Sequence, residues 1–267
     1  MSNGVVTYDA ARKLWVIKAA PHILIRVKRV FERVAKNEFG SVGLADTPEN
    51  CRELEWFIQR YPLDVDAPQR LFDQAQIHRQ REAVVAQVLA PEYKPPPVEL
   101  AVPLREYQQT AVALARENGA LLLGDDVGLG KTASAIGLLA DSKALPALVV
   151  TLTHLPKQWE AEIARFAPSL KTHVIKSGKP YDLTKGPRGK TVAFPDVIIA
   201  NYHKLRGWAD VLGEKVKTVI FDEIQELRTG ADTDKWRAAK HIAERAVLKE
   251  GLSATPVYNY GGEIYNI

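Results

Sequence analysis

Residues 121–132 read LLLGDDVGLGKT. The second half has the form of a phosphate-binding loop, and the first half departs from it. The usual pattern is G-x-x-x-x-G-K-[ST]. Counting back from Lys131 puts Asp125 where the first glycine belongs. The surroundings decide between a nucleotide site and a simple glycine turn. An apolar strand, 120–123, leads in, and the helix-forming stretch KTASAIGLLADSK leads out. Gly128 and Gly130 let successive N–H groups curl inward, and the start of the helix adds partial positive charge. The candidate nucleotide-binding residues are therefore Asp126, Val127, Gly128, Leu129, Gly130, Lys131 and Thr132. Lys131 is placed on the β- and γ-phosphates, and Thr132 on Mg2+.

Around this loop, apolar runs alternate with amphipathic stretches. Strands are expected in 120–125, 146–152, 171–177, 196–202, 217–223 and 247–255. Helices are expected in 105–118, 131–143, 155–167 and 233–246. Near-continuous Val/Ile/Leu strands alternating with helices predict a parallel sheet covered on both faces. Ligands of such sheets bind at the carboxyl ends of the strands. Each motif lies at such an end.

KTVIFDEIQELR, 217–228, runs through apolar residues into two carboxylates. Adjacent strand residues point to opposite faces, so paired acids suit a strand's end. Asp222 is assigned to Mg2+ through water, and Glu223 to orienting and deprotonating the attacking water. LSATP, 252–256, would be an ordinary turn if it stood alone. Its position some 30 residues beyond the acids makes Ser253 and Thr255 informative. In PLREYQQ, 103–109, the Gln108 carboxamide can both donate to and accept from an adenine edge.

The bulk numbers exclude more than they identify. The chain has 267 residues, 46% hydrophobic and 25% charged, an ordinary globular balance. One cysteine, Cys51, rules out an internal disulfide and fits a reducing compartment. No apolar run is long enough for a membrane span, and the first residues lack the apolar core of a secretory signal. A cytoplasmic, nucleoid-associated or nuclear location is expected, not a secreted one. Residues 1–97 hold 14 Lys+Arg and 12 Asp+Glu, and residues 98–267 hold 22 and 20. Each part is thus only +2, and charge does not locate a partner. APEYKPPPVEL, 90–100, marks a boundary, because consecutive prolines cannot sit inside a helix. The expected layout is a small α/β accessory domain over 1–94, a linker at 95–97 and the main lobe over 98–267. In the first part, 13–19 and 41–46 read as strands, and 21–39, 47–61 and 66–90 as helices, the second capped by Thr47.

Taken in order, PLREYQQ, GDDVGLGKT, VVTLTHLPKQWEAEI, VIIANYHKL, VIFDEIQ and GLSATPVYN resemble the Q motif and motifs I, Ia, Ib, II and III of superfamily 2 helicases. The set is most similar to Swi/Snf-type translocases on double-stranded DNA, whose loop A-D-E-M-G-L-G-K-T also lacks the first glycine. SATPVYNYGGEIYNI resembles that family's T-G-T-P-I-Q-N…E-L-Y-N-L stretch. The resemblance covers residues 98–267. It implies a RecA-like lobe that binds ATP and Mg2+, with Gln108 on adenine, Thr132 and Asp222 serving the metal, Lys131, Asp222 and Glu223 catalytic, and Ser253 and Thr255 coupling hydrolysis to movement. It also implies that motif Ia (Thr151 to His154, with Thr153 and His154 foremost) and Asn201–Tyr202 touch the DNA backbone. Gln225 stands where the family usually has histidine and takes the coupling place across lobes. The chain stops just after motif III, which reads as a fragment whose second RecA-like lobe, with its arginine finger, lies elsewhere. By itself such a piece is expected to bind ATP and hydrolyse it feebly. The first part is similar to the HARP-type accessory domains found ahead of some annealing translocases.

For nucleic acid, 171–190 carries six Lys/Arg against Asp182 alone. Lys185, Arg188 and Lys190 are the candidate phosphate contacts. An RNA helicase lobe and an ATP-gated interaction module remain as alternatives. D-E-I-Q in place of D-E-A-D disfavours the RNA reading.

Overall fold

The structure is a computed structural model that describes residues 3–31, 34, 40–186, 188 and 190–256. The end of the helix expected over 21–39, and the tail from residue 257 onward, lie outside the described residues. Packing divides the chain into two units, Met1–Ala86 and Gln87–Ile267.

The first unit is a four-stranded sheet with helices. Its elements are β1 (Gly4–Asp9), β2 (Leu14–Ala19), α1 (Pro21–Val30), β3 (Val42–Ala45), α2 (Pro48–Arg60), β4 (Asp64–Val65) and the start of α3 (Pro68–Val88). The sheet order is β3-β2-β1-β4, with β4 parallel to β1 and the other pairs antiparallel. Thr47 caps α2 by accepting from the Asn50 amide at 3.2 Å. Asp46 is the polar centre of the unit. Its carboxylate accepts from Trp15 Nε1 at 2.8 Å, from Arg70 Nε at 3.0 Å and from Cys51 Sγ at 3.4 Å. Burial works to raise the Asp46 pKa, but the hydrogen bonds from Arg70, Trp15, Cys51 and Tyr8 outweigh it and the net shift is downward.

The second unit begins with α4 (Glu106–Asn118), β5 (Ala120–Leu123), α5 (Lys131–Leu139), β6 (Ala147–Thr151), α6 (Pro156–Phe166) and β7 (Thr172–Val174). It continues with β8 (Val197–Asn201), α7 (Tyr202–Gly213), β9 (Thr218–Asp222), α8 (Asp234–Ala243) and β10 (Leu248–Leu252). Its six strands run in the order β5-β10-β9-β6-β8-β7, and every neighbouring pair is parallel. This is the RecA-like arrangement. Strand alternation builds both cores. Ala147, Val149, Val197, Ile199 and Ile220 face α4, α5 and α6, whereas Leu148, Val150, Ile198, Val219 and Phe221 face α7 and α8.

Three of these elements depart from the expectations, the two-residue β4 among them. β1 is a strand where none was foreseen, because VVTYD is read as a strand only once β2 pairs along its whole length. α7 fills a stretch with no expected helix. Its apolar period (Tyr202, Leu205, Trp208, Ala209 and Leu212, all buried) is diluted in sequence by Gly207 and Gly213.

Register brings the motifs to one edge. Leu252 pairs with both Leu123 and Asp222, and Thr151 pairs with Asn201. The residues that follow each strand therefore emerge side by side.

Candidate nucleotide site

The loop 124–130 leaves β5 at that edge. Gly128 and Gly130 have φ of +88° and +77°, a region that a side chain would strain. A Cβ on Gly130 would also meet Gln108 Nε2 at 2.7 Å. The loop is open to solvent, and Val127 at its tip is 87% exposed. Among the described residues the amides of Gly128, Gly130, Lys131 and Thr132 take no hydrogen-bond partner. Such unpaired donors at a helix N-terminus suit phosphate oxygens. Lys131 Nζ donates to the loop's own carbonyls, Asp125 O at 2.6 Å and Asp126 O at 3.1 Å. A phosphate chain can replace these neutral acceptors with charged ones.

The loop is held from below by α4. Gln108 is 7% exposed. Its Oε1 accepts from the Arg105 amide at 3.0 Å, and its Nε2 donates to Leu129 O at 3.1 Å and Gly130 O at 3.3 Å. The Tyr107 hydroxyl also donates to Leu129 O, at 2.7 Å. In this conformation the Gln108 carboxamide is committed to the helix cap and the loop rather than to an open adenine edge. Tyr107 was missed in the sequence, because a lone tyrosine beside a glutamine carries no pattern of its own.

The acids close β9. Glu223 adopts φ +54°, ψ +54°, a left-handed conformation that costs a non-glycine residue about 1–3 kcal/mol. That turn breaks strand alternation directly after Asp222, so the two carboxylates need not face opposite ways. Gln225 Nε2 donates to Glu223 Oε2. Gln225 Oε1 is buried and has no partner among the described residues, an acceptor left over for a donor from elsewhere. Ser253 is buried at the end of β10; its amide donates to Leu123 O at 3.1 Å, and its Oγ accepts from the Thr255 amide at 3.0 Å. Ser253 thereby ties β10 to the strand that launches the phosphate loop.

Asp222 has unforeseen partners. Its Oδ2 accepts from Thr151 Oγ1 at 2.8 Å and from Trp159 Nε1 at 2.7 Å. Thr151, read as the start of a nucleic-acid segment, is fully buried and turned inward. Tyr202 is 3% exposed and donates to the Asp222 carbonyl at 2.9 Å. Burial, then the Asp222 charge, raises the Tyr202 pKa and keeps it a donor. Asn201 is buried and caps α7, accepting from the Lys204 amide at 3.1 Å. The side chains of Thr151, Asn201 and Tyr202 are thus occupied inside the lobe. Thr153 and His154 stay exposed beyond β6.

The structure's own groups fit Mg·ATP. No cluster of three or more His/Cys/Asp/Glu forms a metal cage among the described residues. Mg2+ is suited to one carboxylate, a hydroxyl, waters and phosphate oxygens rather than to such a cage. Asp222 Oδ1 accepts no hydrogen bond among the described residues, and Thr132 is the second residue of α5, beside the loop.

A profile of the SNF2-related domain matches residues 50–267. The chain belongs to the SNF2-related domain family. The TATA-binding protein-associated factor MOT1 of Saccharomyces cerevisiae is 28% identical over 256 residues, which is 84% of this chain and 13% of that protein. The SWI/SNF-related matrix-associated actin-dependent regulator of chromatin subfamily A-like protein 1 homolog of Caenorhabditis elegans is 26% identical over 263 residues, 97% of this chain and 32% of that protein. The Sulfolobus solfataricus SWI2/SNF2 ATPase core, solved in complex with dsDNA, matches with a TM-score of 0.52 at 25% identity, over 64% of this chain and 36% of that one. This SNF2-related chain spans at most 32% of the length of these two curated relatives.

The exposed basic segment of the SNF2-related lobe is a hairpin beyond the edge strand β7. Lys185 bridges Thr191, the Gly186 amide donates to Lys190 O at 2.7 Å, and the Val192 amide donates to Thr184 O at 2.8 Å. Lys185, Arg188 and Lys190 are exposed on it. Its base is anchored by buried Leu183, by Tyr181 packed edge-on against Trp208, and by Trp208 Nε1 donating to Ser177 O at 2.8 Å. β6, β8 and β7 are neighbours in the sheet. The segment that carries the hairpin runs back along α7, with Tyr181 packed on Trp208 and Lys215 Nζ, ahead of β9, 5.3 Å from the Phe194 ring.

Proposed function

We propose that this chain is the ATP-binding lobe of a DNA-dependent ATPase that moves on double-stranded DNA when joined to a second RecA-like lobe. The observation that carries this reading is the meeting, on one edge of a parallel sheet, of an unpaired phosphate loop and a paired acidic turn. Lys131 and the loop amides receive the phosphates. Thr132 and Asp222 would hold Mg2+, and Glu223 would take the proton of the attacking water. Bound Mg2+ would supply positive charge that offsets that of the phosphates. Gln225 and the Ser253–Thr255 turn face the coupling task. The arginine finger of such a motor is assigned to the second lobe, and such a group is worth about 10³–10⁵ in rate, so feeble hydrolysis by this lobe alone is expected.

Duplex DNA is the proposed track, because the Sulfolobus relative was solved on it. The hairpin supplies charge without base-reading geometry, as movement along any sequence requires. Such a motor belongs in a nucleus or nucleoid. Replacing Lys185, Arg188 and Lys190 together with alanine should flatten the plot of log K for duplex DNA against log[salt] by about 2–3, at roughly 0.9 for each phosphate that is no longer neutralised. A slope equal to that of the unaltered chain would remove the hairpin from the interface.

A further inference from the structure

Asp222 is the metal residue of the reading above, yet nothing in that reading says what aims its carboxylate. Strand alternation answers in part. Thr151 lies two residues past Val149 and Asp222 two past Ile220, and Val149 and Ile220 both face the layer that includes α6. Trp159 reaches the same place from α6. It is 2% exposed, and a buried indole N–H must find an acceptor. All three side chains therefore converge on that side of β6 and β9, and both donors take the same oxygen, Oδ2, at 2.7 and 2.8 Å. The other oxygen is left without a donor among the described residues. A carboxylate held on one oxygen by two donors from two different elements cannot rotate without breaking both bonds.

We propose that Thr151 and Trp159 are positioning residues that clamp Asp222 Oδ2 and so present Oδ1 to Mg2+; this rests on the assignment of Asp222 to the metal. Groups that orient a metal-binding carboxylate affect the metal about as strongly as weak ligands do, by roughly 10–100-fold in affinity or activity. The clamp also explains why a tryptophan, rather than an aliphatic residue, sits at this buried place on α6. Phenylalanine would fill most of the space and donate nothing.

The test is a titration of the 267-residue chain with Mg2+ in the presence of a fluorescent ATP analogue, and a parallel titration of the analogue in EDTA. Trp159→Phe and Thr151→Val should each raise the Mg2+ concentration at half-saturation by about 10–100-fold. Metal-free nucleotide affinity should stay close to that of the unaltered chain. Thr151→Ser, which keeps the hydroxyl, should restore the Mg2+ response. Asp222→Asn is the control. If it shifts the Mg2+ response while Trp159→Phe and Thr151→Val do not, the clamp is overturned and the metal assignment stands. If Asp222→Asn itself leaves the response unchanged, the metal assignment fails first. Equal loss of affinity with and without Mg2+, or a serine variant as damaged as the valine one, would reduce the pair to packing. Should Trp159→Phe unfold the lobe, the Thr151→Val and Thr151→Ser pair decides alone.

Discussion

Glu223→Gln should slow ATP hydrolysis by about 10²–10⁴-fold, the usual contribution of a positioned general base, and leave Mg·ATP binding unchanged. Glutamine keeps the shape and the left-handed turn but cannot take a proton. In the proposed reading the 124–130 loop would hold the phosphates, and Thr132 and Asp222 the metal, so binding would not pass through this carboxylate. Turnover is best read in the chain supplied with a second lobe, where hydrolysis is fast enough to lose. Binding is read in the chain by itself. A variant that hydrolyses at the original rate would take the proton-accepting role away from Glu223. One that loses nucleotide binding would place the residue in the phosphate cradle instead.

The second large effect concerns stability. Glu250 lies on β10, paired with Leu121 on one side and Ile220 on the other. It is 2% exposed, and its Oε2 has no partner among the described residues. Burial alone pushes its pKa up from 4.5 to about 8. The sign follows from proton binding. Below pH 4.5 both folded and unfolded chains hold the proton, and there is no penalty. Between 4.5 and 8 the unfolded chain releases it while the folded chain keeps it, so stability falls as pH rises. Above 8 the penalty levels off. At about 1.4 kcal/mol per pH unit, the loss between pH 5 and 8 is of order 4 kcal/mol. Glu250→Gln cannot titrate. Its urea-unfolding free energy should match the unaltered chain near pH 5 and exceed it by a few kcal/mol at pH 8. Two curves that stay parallel across that range would mean the acid is not carried neutral in the folded state.

Much of the second unit was legible because its signals are local. A phosphate loop needs glycines, lysine and threonine at fixed spacing, and buried parallel strands need runs such as ALVVT and VIIAN. The acidic pair was placed at a strand end by alternation, and the Glu223 turn is the backbone device that allows it. What sequence did not show is what depends on distant partners. Gln108 was read from its chemistry as a base reader, but its carboxamide is held by the loop that folds over it. Thr151 and Trp159 reach Asp222 only after β6 and β9 pair, across 71 and 63 positions of sequence. The roles of Asn201 as the cap of α7 and of Tyr202 as a buried donor to the Asp222 carbonyl depend on α7, which was unforeseen. Glu250 looked like any charged residue of a strand until its neighbours on both sides were known.

The central claim is tested most directly by ATP turnover of this chain joined to a second RecA-like lobe, measured with duplex DNA, single-stranded DNA and RNA in turn. Duplex DNA should give the largest stimulation. Tight ATP binding with no stimulation by duplex DNA, or a larger response to RNA, would contradict the assignment of this lobe to a double-stranded DNA motor.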